Sequence, residues 1–269
     1  MQRNRLDSGV IAAGLDPAVA RVVSVSVHKS VESTNDVVRD HATPGADFTG
    51  TTVLAEEQTR GRGRRGKAWH SPPGGNLYLS MGWEFDLPLE QLSGLSLAIG
   101  AMLAEAFAHE FDAELQLKWP NDFYFDGRKL GGILVELLPE QQGRQRLVLG
   151  IGLNVAMPLL AYDAIDRPWT DLTTVIKAPV ERNALAASII NTIVEGLAGY
   201  HRQGLSYWLE PWRARDFLLG RSVTVDNPSP LTGTAAGVND EGALMIHAAT
   251  GQCVVAGGEV SIVEFGELS

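Results

Sequence analysis

Phe123-Tyr124-Phe125-Asp126-Gly127-Arg128-Lys129-Leu130-Gly131-Gly132-Ile133-Leu134-Val135-Glu136 is the stretch that decides the fold class. Asp126-Gly127 between two apolar runs is a strong hairpin signal, so Phe123 to Phe125 and Ile133 to Leu138 read as paired strands. Gln142-Gly143 turns the second of them into a third, Leu147 to Val155. Upstream, Leu115 and Leu117 face one way in a strand that ends at Lys118-Trp119-Pro120. Leu77, Leu79, Met81 and Trp83 alternate with Tyr78, Ser80 and Gly82, and strands are also expected over Val22 to Val27 and Thr51 to Ala55. Strands meeting through tight turns imply a largely antiparallel or mixed sheet rather than a doubly wound one.

Helices alternate with these strands, giving an α+β class. Leu89 to Phe111 carries Leu92, Leu95, Ile99, Met102 and Phe107 at helical spacing, and Arg182 to Tyr200 and Leu205 to Leu218 read as two more. Ser33-Thr34-Asn35-Asp36 offers capping oxygens to a short helix running to about His41, with Pro44-Gly45 as its stop. After Gly220 the texture changes to short β-rich pieces: Val223 to Val225, Ala243 to His247, Cys253 to Val255 and Val260 to Val263. Pro228, Gly233, Gly237, Asp240-Glu241-Gly242 and Gly251 separate them, the pattern of a small barrel. The boundary is placed near residue 219, giving units 1–218 and 219–269.

Composition narrows the class. Apolar residues make up 45% and charged ones 20%, ordinary for a soluble globular chain long enough to bury a sizeable core. No uninterrupted apolar stretch approaches the roughly 18 residues that span a bilayer, and Val10 to Ala13 is too short for a secretory core. The single Cys253 excludes an intramolecular disulfide framework and reads as an inert core thiol. With few histidines and no Cys pairs, zinc ligation has almost no support. The expectation is a cytoplasmic protein without a metal site of its own, compatible with Mg²⁺ carried by a nucleotide.

Against a formal net charge of -10, Arg60, Arg62, Arg64, Arg65 and Lys67 crowd into and around Gly61-Arg62-Gly63-Arg64-Arg65-Gly66. Guanidinium forks suit carboxylates and phosphates, so a small anion is one reading. A disordered basic loop or a nucleic-acid contact is another, and the acidic whole counts against the latter. In Lys118-Trp119-Pro120-Asn121-Asp122 the lysine either delivers its ammonium to a site edge or is solvated at a turn that Asn121 and Asp122 hold. Glycines inside Gly150-Ile151-Gly152-Leu153-Asn154-Val155 mark either close approach of a ligand or backbone, or plain sheet packing.

Together, in order and from about Val27 to Val263, these segments resemble the biotin protein ligases. The resemblance rests on Ser33-Thr34-Asn35, the run from Gln58 to Gly66, Lys118 to Asp122, Gly131-Gly132-Ile133-Leu134-Val135-Glu136, and Gly258-Glu259-Val260-Ser261. It implies a catalytic domain related to class II aminoacyl-tRNA synthetases and an SH3-like C-terminal barrel. It also implies two chemical steps, in which biotin and ATP with Mg²⁺ give biotinyl-5′-AMP, and a lysine of a biotin carboxyl carrier domain takes the biotinyl group. By resemblance, Ser33, Thr34, Asn35 and Gln58 line the biotin head, while Arg62, Gly63 and Arg64 fold over biotin and the adenylate phosphate. Lys118 sits between carboxylate and α-phosphate, with Arg64 sharing the catalytic role. Asn154 lies near the nucleotide, and Trp69 and Trp169 pack on adenine, seal the site, or are plain core. Relatives often dimerise through the catalytic sheet. Lipoate–protein ligases share the fold and the acyl-adenylate logic and are the neighbouring alternative. Some relatives carry an N-terminal winged helix, whereas only about 25 residues precede the catalytic pattern here, so specific DNA binding is not expected. Some also place an arginine where this chain has Val263.

Overall fold

The computed structural model describes residues 5–43, 47–158, 165–226 and 230–263. The first half runs α1 (Ser8–Ala13), β1 (Ser24–His28), α2 (Thr34–Asp40), β2 (Thr51–Ala55), β3 (Leu77–Phe85), α3 (Leu95–Phe111) and β4 (Gln116–Lys118). It continues through β5 (Asp122–Phe125), β6 (Arg128–Gln141), β7 (Arg144–Leu153), α4 (Leu172–Ile176), α5 (Arg182–Gln203) and α6 (Ser206–Arg213). The remaining strands are β8 (Ser222–Asp226), β9 (Leu231–Val238), β10 (Leu244–Ala248), β11 (Gly251–Val255) and β12 (Glu259–Ile262).

Two turns build the centre of the larger sheet. Asp126 and Gly127 have φ of 47° and 72°, and Gln142 and Gly143 have 53° and 78°. Left-handed conformation at both central residues gives a hairpin turn whose twist matches that of its strands. β5, β6 and β7 therefore form an antiparallel meander within a seven-stranded sheet of order β1-β2-β3-β7-β6-β5-β4. β1 and β2 pair in parallel, so the sheet is mixed, as expected. The second sheet, β11-β10-β9-β8-β12, is antiparallel throughout. It includes β9, which the sequence reading leaves out because its Thr, Ala and Gly residues carry little hydrophobic signal.

The core lies mainly between the larger sheet and α3, α5 and α6, while α2 covers the other face through Val38, Phe48, Val53 and Val148. The expected helix Leu89–Phe111 is broken at Gly94, whose φ of 75° separates a 3-10 turn (Leu89–Leu92) from α3. A Cβ at Gly94 would also lie 2.4 Å from Leu205. That segment is long enough, and over an 18-residue window apolar enough (mean hydropathy 1.3), to cross a membrane, which the sequence reading passes over; 61% of the window is buried, so it packs here in the core.

Two further expectations change. The helix expected to Leu218 stops at Arg213, because the chain turns back along β4. Leu117 N–H donates to Arg215 C=O at 2.8 Å and Phe217 N–H to Leu117 C=O at 2.9 Å, which covers that sheet edge. Cys253 is half-buried on the edge strand β11 rather than part of the core. Pro44-Gly45 and Pro228 lie outside the described residues.

Candidate active site

A cavity of about 1140 Å³ opens between the ends of the central strands, the basic glycine loop and β12. Every residue singled out above for the site lies on its wall. The two ends of the cavity differ in chemistry.

One end is a chain of hydrogen bonds among uncharged side chains that closes on the Glu136 carboxylate. Ser80, in the middle of β3 and 0% exposed, has its hydroxyl 2.7 Å from Thr34 Oγ1 and 2.5 Å from Asn35 Oδ1. Thr34 donates from its backbone N–H (2.9 Å) and its hydroxyl (3.1 Å) to Gln58 Oε1. Gln58 Nε2 donates to Ser71 Oγ at 3.0 Å. Asn35 Nδ2 donates to Glu136 Oε2 at 2.5 Å. Ser33 takes the N-cap position of α2, but its hydroxyl caps no helix N–H, contrary to the capping alternative, and has no partner among the described residues. Gly150 answers its two readings with a third: a Cβ there would lie 2.4 Å from Asn35 Oδ1, so the glycine makes room for this side chain. Gly152 likewise makes room for the Trp69 ring, 2.7 Å from where its Cβ would be. Trp69 is thereby laid along the cavity floor, half-buried, with Lys129 Nζ 5.3 Å from its ring centre.

The other end is cationic. Lys118 leaves the end of β4 with its side chain half-buried and its Nζ 5.4 Å from the Tyr124 ring centre. Burial pushes its pKa below the ordinary 10.5; Asp122 pulls it up, and Lys129 and Arg167 push it down. No carboxylate comes within ion-pair distance of it among the described residues. Leaving a partly buried ammonium unpaired costs free energy, which an anion in the cavity would offset. Asp122 is held by Lys129 at 2.6 Å, and Asn121 Nδ2 donates to Ile133 C=O at 2.5 Å, so both side chains hold the turn after Lys118. The Trp119-Pro120 peptide in that turn is cis.

Around the loop, Arg62 lines the cavity and is held by carboxylates. Its guanidinium grips Asp36 through two bonds of 2.5 and 2.6 Å and reaches Glu136 at 3.3 Å, with Arg39 bridging the same two carboxylates. Those hydrogen bonds hold the Asp36 carboxyl below its ordinary 3.8. Partly exposed ion pairs contribute only about 0–1 kcal/mol each, so the network fixes where Arg62 points more than it stabilises the fold. Gly63 leads into a tight turn in which Arg65 has a φ of 55°. Arg64 Nη1 donates to Gly258 C=O at 3.2 Å, and burial lowers its pKa. Arg65 pairs with Asp226 at 3.0 Å and Lys67 pairs with Glu259. Asp226 and Glu259 are register partners across β8 and β12, so the loop lies over one rung of the second sheet. Glu259, Val260 and Ser261 thereby reach the cavity, although Val263 lies beyond them, its N–H bonded to Ser222 C=O.

Asn154 donates its amide to Thr170 C=O at 3.0 Å and so tethers the segment that carries Trp169. Trp169 is half-buried, and its segment pairs with Lys129. Sequence reasoning missed the contacts of Ser80 and Glu136 and the presence of Arg167 on the cavity wall. A serine inside an otherwise apolar strand was the available signal for Ser80; Arg167 carried none.

The Biotin/lipoate A/B protein ligase family model matches residues 27–154, and the Biotin protein ligase C terminal domain model matches 218–263. The bifunctional ligase/repressor BirA of Salmonella typhimurium is 35% identical over 243 residues, covering 90% of this chain and 73% of that protein. The biotin–acetyl-CoA-carboxylase ligase of Mycobacterium tuberculosis is 32% identical over 234 residues, 85% of each. A biotin protein ligase from Aquifex aeolicus, solved in complex with biotin and ATP, superposes with a TM-score of 0.76 at 27% identity over 89% of this chain and 98% of its own. With two family models in sequence order and relatives matched over most of their length, the chain belongs to the biotin protein ligase family.

Proposed function

We propose that this chain activates biotin with ATP and transfers it to a lysine of a biotin carboxyl carrier domain. The observation that carries the reading is the two-ended cavity, with neutral donors and acceptors at one end and, at the other, a Lys118 ammonium that has no ion-pair partner among the described residues. A ureido group offers one carbonyl and two N–H donors, which hydroxyls and amides match. The Ser33 hydroxyl, without a partner among the described residues, and the Thr34–Gln58 pair supply both kinds of partner.

In the first step a biotin carboxylate oxygen attacks the α-phosphorus, the bond to the β-phosphate oxygen breaks, and pyrophosphate leaves with both electrons. Two anions must meet, so positioning and electrostatics supply the catalysis. Lys118 stands where charge gathers, and Arg64 holds the adenylate phosphate. In the second step the acceptor's neutral ε-amine attacks the acyl carbon, AMP departs, and the amine loses its proton. Mg²⁺ enters as the counter-ion of ATP and belongs to the substrate. Trp69 and Trp169 offer flat faces for adenine.

We read residues 1–218 as the catalytic unit and 219–269 as a terminal module, and we place the reaction in the cytoplasm. The mixed seven-stranded sheet supports kinship with class II synthetases, and the five-stranded antiparallel sheet supports an SH3-like barrel. The net charge of -10 supports a ligase without specific DNA contact. Exchange of labelled pyrophosphate into ATP tests the central reading. Exchange should depend on biotin and not occur with lipoate; exchange with lipoate alone, or with neither acid, would refute it.

A further inference from the structure

The cations of the cavity wall are almost all committed. Arg60 pairs with Glu32 at 3.3 Å, Arg62 with Asp36 and Glu136, Lys67 with Glu259, and Lys129 with Asp122. Arg64 gives one N–H to the Gly258 carbonyl and keeps its other donors for the adenylate phosphate. Among the described residues two wall cations have neither a carboxylate nor a carbonyl partner: Lys118 and Arg167. Arg167 is exposed at the cavity wall, close enough for its charge to act on Lys118 and Tyr124, adding to the burial that lowers the Lys118 pKa and opposing the burial that raises that of Tyr124. Its neighbour Asp166 also lines the cavity and makes no ion pair with it.

Arg167 is not on a free segment. Lys129 N–H donates to Pro168 C=O at 3.1 Å, Thr170 N–H donates to Lys129 C=O at 2.9 Å, and Asn154 tethers Thr170 from the other side. The residues immediately after Arg167 are therefore stitched to the start of β6, which places the side chain at a set point on the wall.

We propose that Arg167 binds the β- and γ-phosphates of the nucleotide and holds the pyrophosphate as it leaves. This rests on the reading of the cavity as an adenylation site. In-line displacement at the α-phosphorus puts the leaving group opposite the attacking carboxylate. With Lys118 at the carboxylate and α-phosphate, the remaining phosphates extend to the exposed wall, where Arg167 presents a fork of N–H donors suited to phosphate. Among the described residues no ion pair of Arg167 has to break before the phosphates bind.

The test is calorimetric titration of inorganic pyrophosphate and, separately, AMP into wild type, Arg167→Ala and Arg167→Lys, alongside biotin-dependent exchange. Loss of a charge-assisted phosphate contact should weaken pyrophosphate binding in Arg167→Ala by roughly 10-fold or more, leave AMP binding unchanged, and raise the KM for ATP but not for biotin. Arg167→Lys should recover part of the loss. Equal pyrophosphate affinity in wild type and Arg167→Ala, equal weakening for pyrophosphate and AMP, or no measurable pyrophosphate binding by wild type would each overturn the assignment. A pyrophosphate-selective loss in a chain that does not adenylate biotin would support Arg167 and overturn the ligase reading instead.

Discussion

The neutral end of the cavity and its cationic end are built from different parts of the fold. Ser80, Thr34 and Asn35 sit on a central strand and on the first turn of a helix packed over it, where side chains are locked by burial. Lys118, Arg64 and Arg167 come from a strand end, a glycine loop and a tethered turn, and the loop leans on a different sheet. Recognition of an uncharged head needs fixed geometry, because a hydrogen bond weakens steeply with misalignment. Charge stabilisation falls off more slowly with distance, so loops can carry it, and loops can also open to admit a nucleotide. The division of labour follows from that difference in range.

Removing Lys118 should break the cationic end most severely. Lys118→Ala is expected to slow adenylate formation by roughly 100-fold or more, the scale of one lost electrostatic stabiliser, measured as pyrophosphate release. The same ammonium sets a pH limit. Because burial lowers its pKa below 10.5, the charge is lost at lower pH than on a solvated lysine. Adenylation should therefore fall along an alkaline limb ending below pH 10.5, and the residual activity of Lys118→Ala should lack that limb.

Arg64→Gly should affect retention of the intermediate more than its formation. A mixed anhydride needs shelter from water and stray amines. Free biotinyl-5′-AMP and labelling of a bystander protein should rise by roughly 10-fold, as expected when one charge-assisted contact is lost. Loss of all activity instead would place Arg64 in the chemistry itself. At the neutral end, Gly150→Ala puts a methyl 2.4 Å from Asn35 Oδ1 and forces that side chain off both Ser80 and Glu136. Biotin affinity should fall by roughly 10-fold, the scale of one or two broken buried hydrogen bonds, with pyrophosphate affinity unchanged. The smallest effect belongs to the loop's anchor. Arg65 and Asp226 are 52% and 67% exposed, so Asp226→Ala should change stability in urea by less than about 1 kcal/mol. A larger loss would mean that the loop is held structurally by the second sheet.

How much of this was legible in the sequence follows the same division. The hairpins were written in Asp126-Gly127 and Gln142-Gly143, because positive φ at two adjacent positions restricts residue choice. Every residue proposed for the site, from Ser33 to Trp169, does reach one cavity. Partnerships across long sequence separations were not legible. Nothing local tells that Arg62 spends its charge on Asp36 and Glu136, or that Gly150 serves Asn35, since each pairing is made by sheet register. The break at Gly94 was hidden by a continuous apolar pattern, and the chain's return along β4 after Arg213 was hidden because it still reads as helix.

The central claim is that recognition and charge stabilisation are separable, and calorimetry on Ser80→Ala and Lys118→Ala tests it most directly. Ser80→Ala removes the donor shared by Thr34 and Asn35. The expected result is a crossed pattern. Ser80→Ala weakens biotin binding by roughly 10-fold, the scale of one buried hydrogen bond, and leaves pyrophosphate binding alone. Lys118→Ala leaves biotin binding near wild type and abolishes most of the adenylation rate. If each variant instead lowers biotin affinity and adenylation by the same factor, the two ends act as one unit and the claim is wrong.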